Sequence, residues 1–231
     1  MEQFLRTEML FGKDCTEKLK NKRVIVFGIG GVGGYACESL ARSGVGMIDL
    51  VDMDVVSESN INRQVIALHS TLGKYKTEVM KERLLDINPN IRVNTHNTFY
   101  LPETADEFDF TQYDYVVDAI DTVSGKISLV LKAQEAGTPI ICSMGAGNKI
   151  NPLAFEVADI YKTSVCPLAR AMRIQLKKRG VKSLKVVYSK EEPVNETVED
   201  ADGKRVFGSC SYIPAIAGLI LSSEIIKDLL K

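Results

Sequence analysis

Charge of one sign is what this sequence lacks most plainly: 29 basic side chains face 30 acidic ones, a formal net charge of −1. A protein that coats an anionic polymer needs a strong field, so that class is excluded and contact with nucleic acid requires a local patch. Paired cysteines are missing as well. Cys15, Cys37, Cys142, Cys166 and Cys210 stand singly with no CxxC, which excludes a zinc-binding cysteine quartet and fits a cytoplasmic protein with reduced thiols. His69 and His96 have no Ser, Cys or acid partner in sequence and read as surface or packing residues, so no zinc or other transition metal is expected. Long apolar runs are absent too. The longest late one, Ala215 to Leu221, is too short to cross a bilayer and reads as a helix packed on the body. The opening MEQFLRTEMLFG lacks the basic start and apolar core of a secretory signal.

What the sequence does hold is 45% hydrophobic residues over 231 positions, enough for one good core. Apolar β-rich runs at 23–30, 47–54, 91–99, 113–121 and 139–145 alternate with helical patterns at 32–43, 76–87 and 123–136, the last closed by Gly137. That alternation predicts an α/β fold, a Rossmann-like doubly wound and mostly parallel sheet with ligands at the carboxyl ends of its strands. A small C-terminal α+β extension follows, with strands at 154–161 and 183–189, an amphipathic helix at 167–179 and a closing helix at 212–230. The polar, acidic stretch 194–207 with its DG turn reads as a mobile loop. The expected divisions are an N-terminal helical segment over 1–22, a nucleotide-binding core over 23–150 and a substrate-facing extension over 151–231.

In "GIGGVG" Gly28, Gly30 and Gly33 fit the dinucleotide fingerprint, with Gly31 as an extra glycine. Glycines at this turn let the backbone approach a phosphate whose charge the following helix N-terminus stabilises. Asp52 lies nineteen residues beyond Gly33, at the end of the second strand, where a carboxylate accepts hydrogen bonds from ribose hydroxyls. To this point NAD and ATP fit equally. The choice turns on the next segment, which sets Asp52, Asp54, Asn60, Arg63 and Gln64 beyond that strand, Lys76 at the start of the next helix and Asp121 at the end of the fourth strand. Hydride transfer has little use for so many charges beside the phosphates. Attack on the α-phosphate of ATP does: charge builds on the phosphoryl oxygens and the leaving pyrophosphate, which Arg63 and Lys76 can stabilise while Asp121 holds Mg²⁺.

Four segments, "GIGGVGG", "DMDVVSESNINRQ", "GKYKTEVMKERLLDINPN" and "YVVDAIDTVSGK", together resemble the adenylating enzymes that activate ubiquitin and bacterial sulfur carriers, over most of residues 5–150. The resemblance implies an ATP and Mg²⁺ site, a monovalent cation as a further ligand, and adenylation of a carboxylate. It also implies a homodimer in which Arg63 reaches into the neighbouring subunit's site. The later segments "ADIYKTSVCPLARAMRIQLKKRGV" and "GSCSYIPAIAG" are similar to the branch that dehydrates threonylcarbamoyladenosine in tRNA. That branch uses ATP to activate the carboxylate of the modified adenosine beside the anticodon, and loss of water closes a ring. A tRNA is then the substrate, with a sulfur-transfer protein as a candidate partner.

On a helix starting at Pro167, Arg170, Arg173 and Lys177 share one face, opposite Leu168, Met172 and Leu176, and Lys178 and Arg179 extend the basic patch. Such a face can hold RNA phosphates, although a solvated surface helix reads the same way. Cys166 precedes Pro167 at a helix cap, where the dipole favours thiolate, and Cys210 lies in a small-residue turn. Both are candidate reactive thiols, though dehydration of an activated acid needs neither. Two rival activities stay open. A sulfur-carrier adenylyltransferase shares the chemistry but usually has two zinc-binding CxxC pairs, and an NAD-dependent oxidoreductase would leave the Arg63, Lys76 and Asp121 cluster without a task.

Overall fold

Two short helices, α1 (Leu5–Phe11) and α2 (Cys15–Lys20), lead into the first strand, β1 (Arg23–Phe27). The computed structural model describes residues 2–194, 198–199 and 205–231. Val24, Ile25, Val26 and Phe27 are all fully buried. The reason is that β1 lies mid-sheet with both faces covered: Val24 and Val26 join one apolar cluster, Ile25 and Phe27 another. A strand covered on both sides carries an unbroken apolar run, as its sequence does.

The chain continues through α3 (Gly33–Arg42), β2 (Met47–Val51), α4 (Lys76–Ile87), β3 (Arg92–His96), β4 (Tyr115–Asp118), α5 (Val123–Ala136) and β5 (Ile140–Ser143). Beyond it lie β6 (Phe155–Asp159), α6 (Pro167–Lys178), β7 (Lys185–Ser189), the pair β8 (Val198–Glu199) and β9 (Arg205–Val206), and α7 (Ile213–Leu229). Much of the loop expected over 194–207 lies outside the described residues. The remainder is the β8–β9 ribbon and its flanks.

One seven-stranded sheet runs in the order β3-β2-β1-β4-β5-β7-β6, parallel throughout except for β6 against β7. The two late strands do not make a sheet of their own. β7 pairs in parallel with β5, so the C-terminal segment widens the main sheet. Helices α3, α4 and α7 cover one face, where Cys37, Leu40, Met80, Leu84 and Leu221 pack on Val24, Val26 and Leu50. Helix α5 packs on the other face with α6 beside it, through Ile127, Leu129 and Val130 from α5 and Met172 and Leu176 from α6. Strand order reverses between β1 and β4, and in such sheets the crevice outside those carboxyl ends is where ligands bind.

An acid sits in the middle of this architecture. Asp49 of β2 is buried, and its carboxylate accepts hydrogen bonds from Arg23 Nη2 (2.8 Å) and Nε (3.1 Å), Tyr113 OH (3.0 Å) and Asn94 Nδ2 (3.1 Å). His96 Nε2 lies 3.2 Å from it, so His96, without a partner in the sequence reading, acquires one because parallel pairing sets β3 beside β2. Burial pushes the Asp49 pKa up, but the bonds from His96, Arg23 and Asn94 outweigh it and hold the group at about 2. A carboxyl depressed in the folded chain contributes stability that is present above its unfolded pKa near 4 and is lost as pH falls through the folded value. The urea midpoint is therefore expected to fall between about pH 4 and 2, with roughly 2 kcal/mol of that loss due to Asp49. In Asp49→Asn the fall should be shallower; an equal slope in the variant would remove Asp49 as its source.

Candidate active site

A cavity of about 290 Å³ opens at the β1/β4 reversal. Its floor is the glycine turn. Gly28 has φ +88°, and a Cβ there would stand 2.7 Å from the Ala119 carbonyl oxygen, so only glycine lets the turn lie against the β4 end. Gly33 is tighter still: its Cβ would stand 1.8 Å from the Gly28 oxygen, which makes it a packing position for the first turn of α3. Gly30 lines the cavity, whereas Gly31 backs onto Pro214 at the start of α7.

Asp52, just beyond β2, ties the turn in place. One carboxylate oxygen accepts from Ile29 N (2.7 Å) and the other from Asp54 N (2.8 Å). Burial raises its pKa, with Lys76 and those two N–H groups opposing incompletely. A carboxylate has about four lone-pair sites, so ribose hydroxyls can still donate to it. Asp54 faces away from this role: its Oδ2 lies 2.6 Å from Lys76 Nζ. Lys76 is the first residue of α4, and its side chain is 7% exposed against 61% for Asp54, so the ammonium is held at the cavity by an acid that is itself mostly in water.

A short 3₁₀ turn, Glu58–Asn60, folds the next segment back over the cavity. Asn60 Oδ1 accepts from Ser57 N (3.2 Å), and Arg63 Nη1 donates to Ser59 O (2.8 Å) and Asn62 Oδ1 (2.9 Å). Arg63 thereby lines the cavity of its own chain. The expectation that it reaches a neighbouring subunit's site concerns an assembly and stands beside this placement within one chain. Gln64 is buried and its Oε1 has no hydrogen-bond partner among the described residues. It lines the same cavity, an acceptor suited to a bound hydroxyl or amino group. Across from these lies Asp121, exposed, whose Oδ1 accepts from the Thr122 hydroxyl at 3.4 Å. Met53, Thr98, Phe99 and Tyr100 form the less polar end, with Tyr100 fixed edge-on to Phe27 at 4.8 Å.

Beneath Asp121 lies a feature the sequence reading passed over. Lys126 and Asp118 are both fully buried, with Nζ 3.0 Å from Oδ1 and 2.9 Å from Oδ2. The same ammonium donates to Ile120 O (2.9 Å) and Ser143 O (2.8 Å), pinning the β4–α5 loop to the end of β5. The available signal was a lysine in "SGKISLVL" on the stripe of α5 that buries Ile127 and Val130.

The basic face of α6 is not part of the cavity. Ala169, Met172 and Leu176 are buried with Leu168 partly so, and Arg170, Lys177, Lys178 and Arg179 are exposed, as expected of an amphipathic helix. Arg173 departs from the expected free face, since its Nη1 donates to Thr163 O (3.0 Å) and to the Thr163 hydroxyl. The helix begins beside Gly145, past the end of β5, and runs toward the amino ends of the strands. At a rise of 1.5 Å per residue Lys177 and Lys178 lie about 15–17 Å along the helix from Pro167. Cys166 does occupy the α6 N-cap but is 2% exposed among Met144, Met172 and Ile160, and Cys210 is half-buried outside the cavity lining.

The groups present fit a nucleoside triphosphate with its metal: cations and glycine-turn N–H groups on one side, the exposed Asp121 carboxylate on the other. Mg²⁺ takes one or two carboxylates plus phosphate oxygens, which Asp121 suits. Among the described residues no group of three or more His, Cys, Asp or Glu side chains could hold a metal ion, and no helix is long and apolar enough to cross a membrane.

Fold and cavity define a nucleotide-binding α/β protein of the doubly wound class, with a cationic phosphate end. Comparison with known proteins narrows the class. The model of the ThiF family matches residues 4–231, and the chain belongs to that family. It is 42% identical over 243 residues to a tRNA threonylcarbamoyladenosine dehydratase of Bacillus subtilis, spanning 100% of this chain and 96% of that one. The crystal structure of the Escherichia coli tRNA N6-threonylcarbamoyladenosine dehydratase in complex with ATP superposes with a TM-score of 0.90 at 34% identity, covering 99% of this chain and 94% of that chain. A probable adenylyltransferase/sulfurtransferase of Mycobacterium tuberculosis is 39% identical over 130 residues, 56% of this chain and 33% of its own.

Proposed function

We propose that the protein uses ATP to dehydrate N6-threonylcarbamoyladenosine in tRNA. A carboxylate oxygen of the modified nucleoside attacks the α-phosphorus, pyrophosphate leaves, and an acyl adenylate results. An atom of the neighbouring carbamoyl group then attacks the activated carbonyl, expelling AMP and a proton and closing a ring. The nucleoside has lost the elements of one water. The observation that carries this reading is the cavity itself, which sets Arg63 and Lys76 opposite Asp121 over a glycine turn. Full-length similarity to enzymes of that name supports the choice of substrate.

In this reading Gly28 and Gly30 let the phosphates approach the turn, Asp52 takes the ribose hydroxyls, and Met53, Phe99 and Tyr100 flank the base. Asn60 and Gln64 supply polar contacts from the opposite wall. Lys76, held by Asp54, and Arg63 stabilise charge as it develops on the α-phosphate oxygens. Mg²⁺ at Asp121 would neutralise the departing pyrophosphate. Arg170, Lys177 and Lys178 contact tRNA phosphates along α6.

Purified protein incubated with ATP, Mg²⁺ and tRNA bearing threonylcarbamoyladenosine is expected to release AMP and to shift the nucleoside mass down by one water. Unchanged nucleoside in the presence of bound ATP would sink the tRNA reading. AMP release dependent instead on a small carrier protein would favour sulfur-carrier adenylylation, the activity suggested by the partial match to the mycobacterial protein. We also read the protein as a cytoplasmic homodimer, since Leu5, Met9, Leu10 and Phe11 of α1 are exposed apolar residues. Light scattering of the same preparation should give the mass of two chains; a monomer mass would reject the dimer.

A further inference from the structure

We propose that Phe207 and Tyr212 form an aromatic rim beside the cavity, on which unpaired RNA bases adjoining the target nucleoside stack. The inference rests on the tRNA reading above and deepens it by naming the surface that recognises the flanking nucleotides.

Two aromatic side chains stand in the open here, Phe207 at 59% exposure and Tyr212 at 45%, with Ile150 at 58% beside them. Each ring is braced from behind. Phe207 lies so close to Gly147 that a Cβ there would stand 2.8 Å from the Phe207 Cβ. The next residue is locked to the loop after β5: Asn148 N donates to Gly208 O at 2.8 Å, and Gly208 N donates to Asn148 Oδ1 at 2.5 Å. The Tyr212 hydroxyl donates to Ile150 O at 3.1 Å. Exposed rings held in place present their faces at little further entropic cost, which is what a stacking surface needs.

The rim is continuous with the cavity. Asn62 Nδ2, adjacent to Arg63, donates to Ser209 O at 3.2 Å, and the Pro214 Cβ would lie 3.0 Å from a Cβ on Gly31. Residues 209–214 therefore adjoin the cavity where Arg63 and Gly31 border it, outside its lining. A nucleoside whose carboxylate must meet the α-phosphate arrives from the Arg63 side, with its neighbours in the strand passing over these residues.

Local charge selects bases over phosphates as the occupant. The Glu191 carboxylate accepts from Ile150 N at 3.0 Å and Asn151 N at 3.0 Å, and the neighbouring Lys149 is buried with its ammonium donating to the Glu191 backbone carbonyl, so the charge nearest solvent at the rim is an anion. RNA phosphates are repelled there and find their cations on α6 instead. Unstacked bases of a single-stranded loop, in contrast, are recognised by stacking on aromatic side chains. An apolar patch for a protein partner would not require aromatic faces, which gives the test its edge.

The experiment measures binding of a fluorescently labelled anticodon stem-loop carrying threonylcarbamoyladenosine to the full chain, with a non-hydrolysable ATP analogue present, across a salt series. Turnover of the matching tRNA is measured in parallel. Phe207→Ala with Tyr212→Ala is expected to weaken RNA binding about tenfold or more, with the affinity for the ATP analogue unchanged. The slope of log affinity against log salt should match the parent, because no phosphate contact is lost, whereas Arg170→Ala with Lys177→Ala should flatten it. Phe207→Tyr with Tyr212→Phe should restore binding, and Phe207→Leu with Tyr212→Leu should not. RNA affinity within twofold of the parent in the double alanine variant, or full rescue by leucine, overturns the rim. Ring-dependent RNA binding without turnover by the parent would instead overturn the dehydratase reading and keep the rim, and turnover with no dependence on the rings would do the reverse.

Discussion

Lys76→Ala is expected to lower turnover by about 10²–10³-fold, the range found when one preorganised donor to a developing oxyanion is removed, while the fold is retained. Lys76 breaks a local rule. A cation at the first position of a helix opposes the helix dipole, which costs roughly 0.3–1 kcal/mol. It is also almost wholly buried, with one carboxylate, Asp54, holding its ammonium at 2.6 Å. In the proposed reaction this placement lets the charge act on phosphoryl oxygens with little screening, because the cavity wall is of low dielectric. Truncation leaves Asp54 in solvent rather than stranded, so thermal stability should stay within about 1 kcal/mol of the parent or rise. Single-turnover AMP formation and a melting curve on the same preparation check both halves. A turnover rate equal to the parent's would remove Lys76 from the mechanism.

Lys126→Met carries the largest expected effect on stability, a loss of about 3–5 kcal/mol, because it strands the fully buried Asp118 without its cation. Two further acceptors lose their donor, since Ile120 O and Ser143 O share the same ammonium, and the second Asp118 oxygen already has no hydrogen-bond partner among the described residues. Replacing both partners by apolar residues of similar size, Asp118→Leu with Lys126→Met, should recover much of the loss, since the desolvation cost of the charges disappears with them. Urea unfolding reads both variants. If the single variant unfolds within 1 kcal/mol of the parent, the pair does not hold the β4–α5 junction, and Asp121 is positioned by other contacts.

The elements with a strong local pattern were legible before any coordinates. Helices α4 and α5 fall where their apolar spacing and, for α5, the terminal Gly137 set them, and the five core strands lie inside the expected runs. The cavity was legible too, since Gly28, Gly30, Asp52, Asp54, Asn60, Arg63, Gln64, Lys76 and Asp121 come from the tips of successive βα units. In a parallel sheet every such tip lies on one edge, so residues far apart in the chain converge without any need to know their distances.

Where the reading fell short, a partner was chosen by pairing across the chain. His96 meets Asp49 only because β3 lies beside β2 in a register that sets Val51 opposite His96, and no spacing in the sequence carries that register. Arg173 reads as free on a helical wheel, yet the chain entering α6 passes under it and takes its guanidinium with Thr163. Lys126 looked like one lysine among many until the tertiary fold removed it from water beside Asp118.

The sequence by itself thus determined the class of fold and the charged and amide side chains of the cavity, but not its apolar end at Met53, Phe99 and Tyr100, because periodicity and glycine chemistry act over a few residues and leave a direct trace. Only the tertiary structure decided which charges face one another: Lys76 with Asp54, Lys126 with Asp118, Arg23 with Asp49. The physical reason is that charge pairing depends on distance and burial, and both are properties of the packed sheet rather than of any stretch of chain.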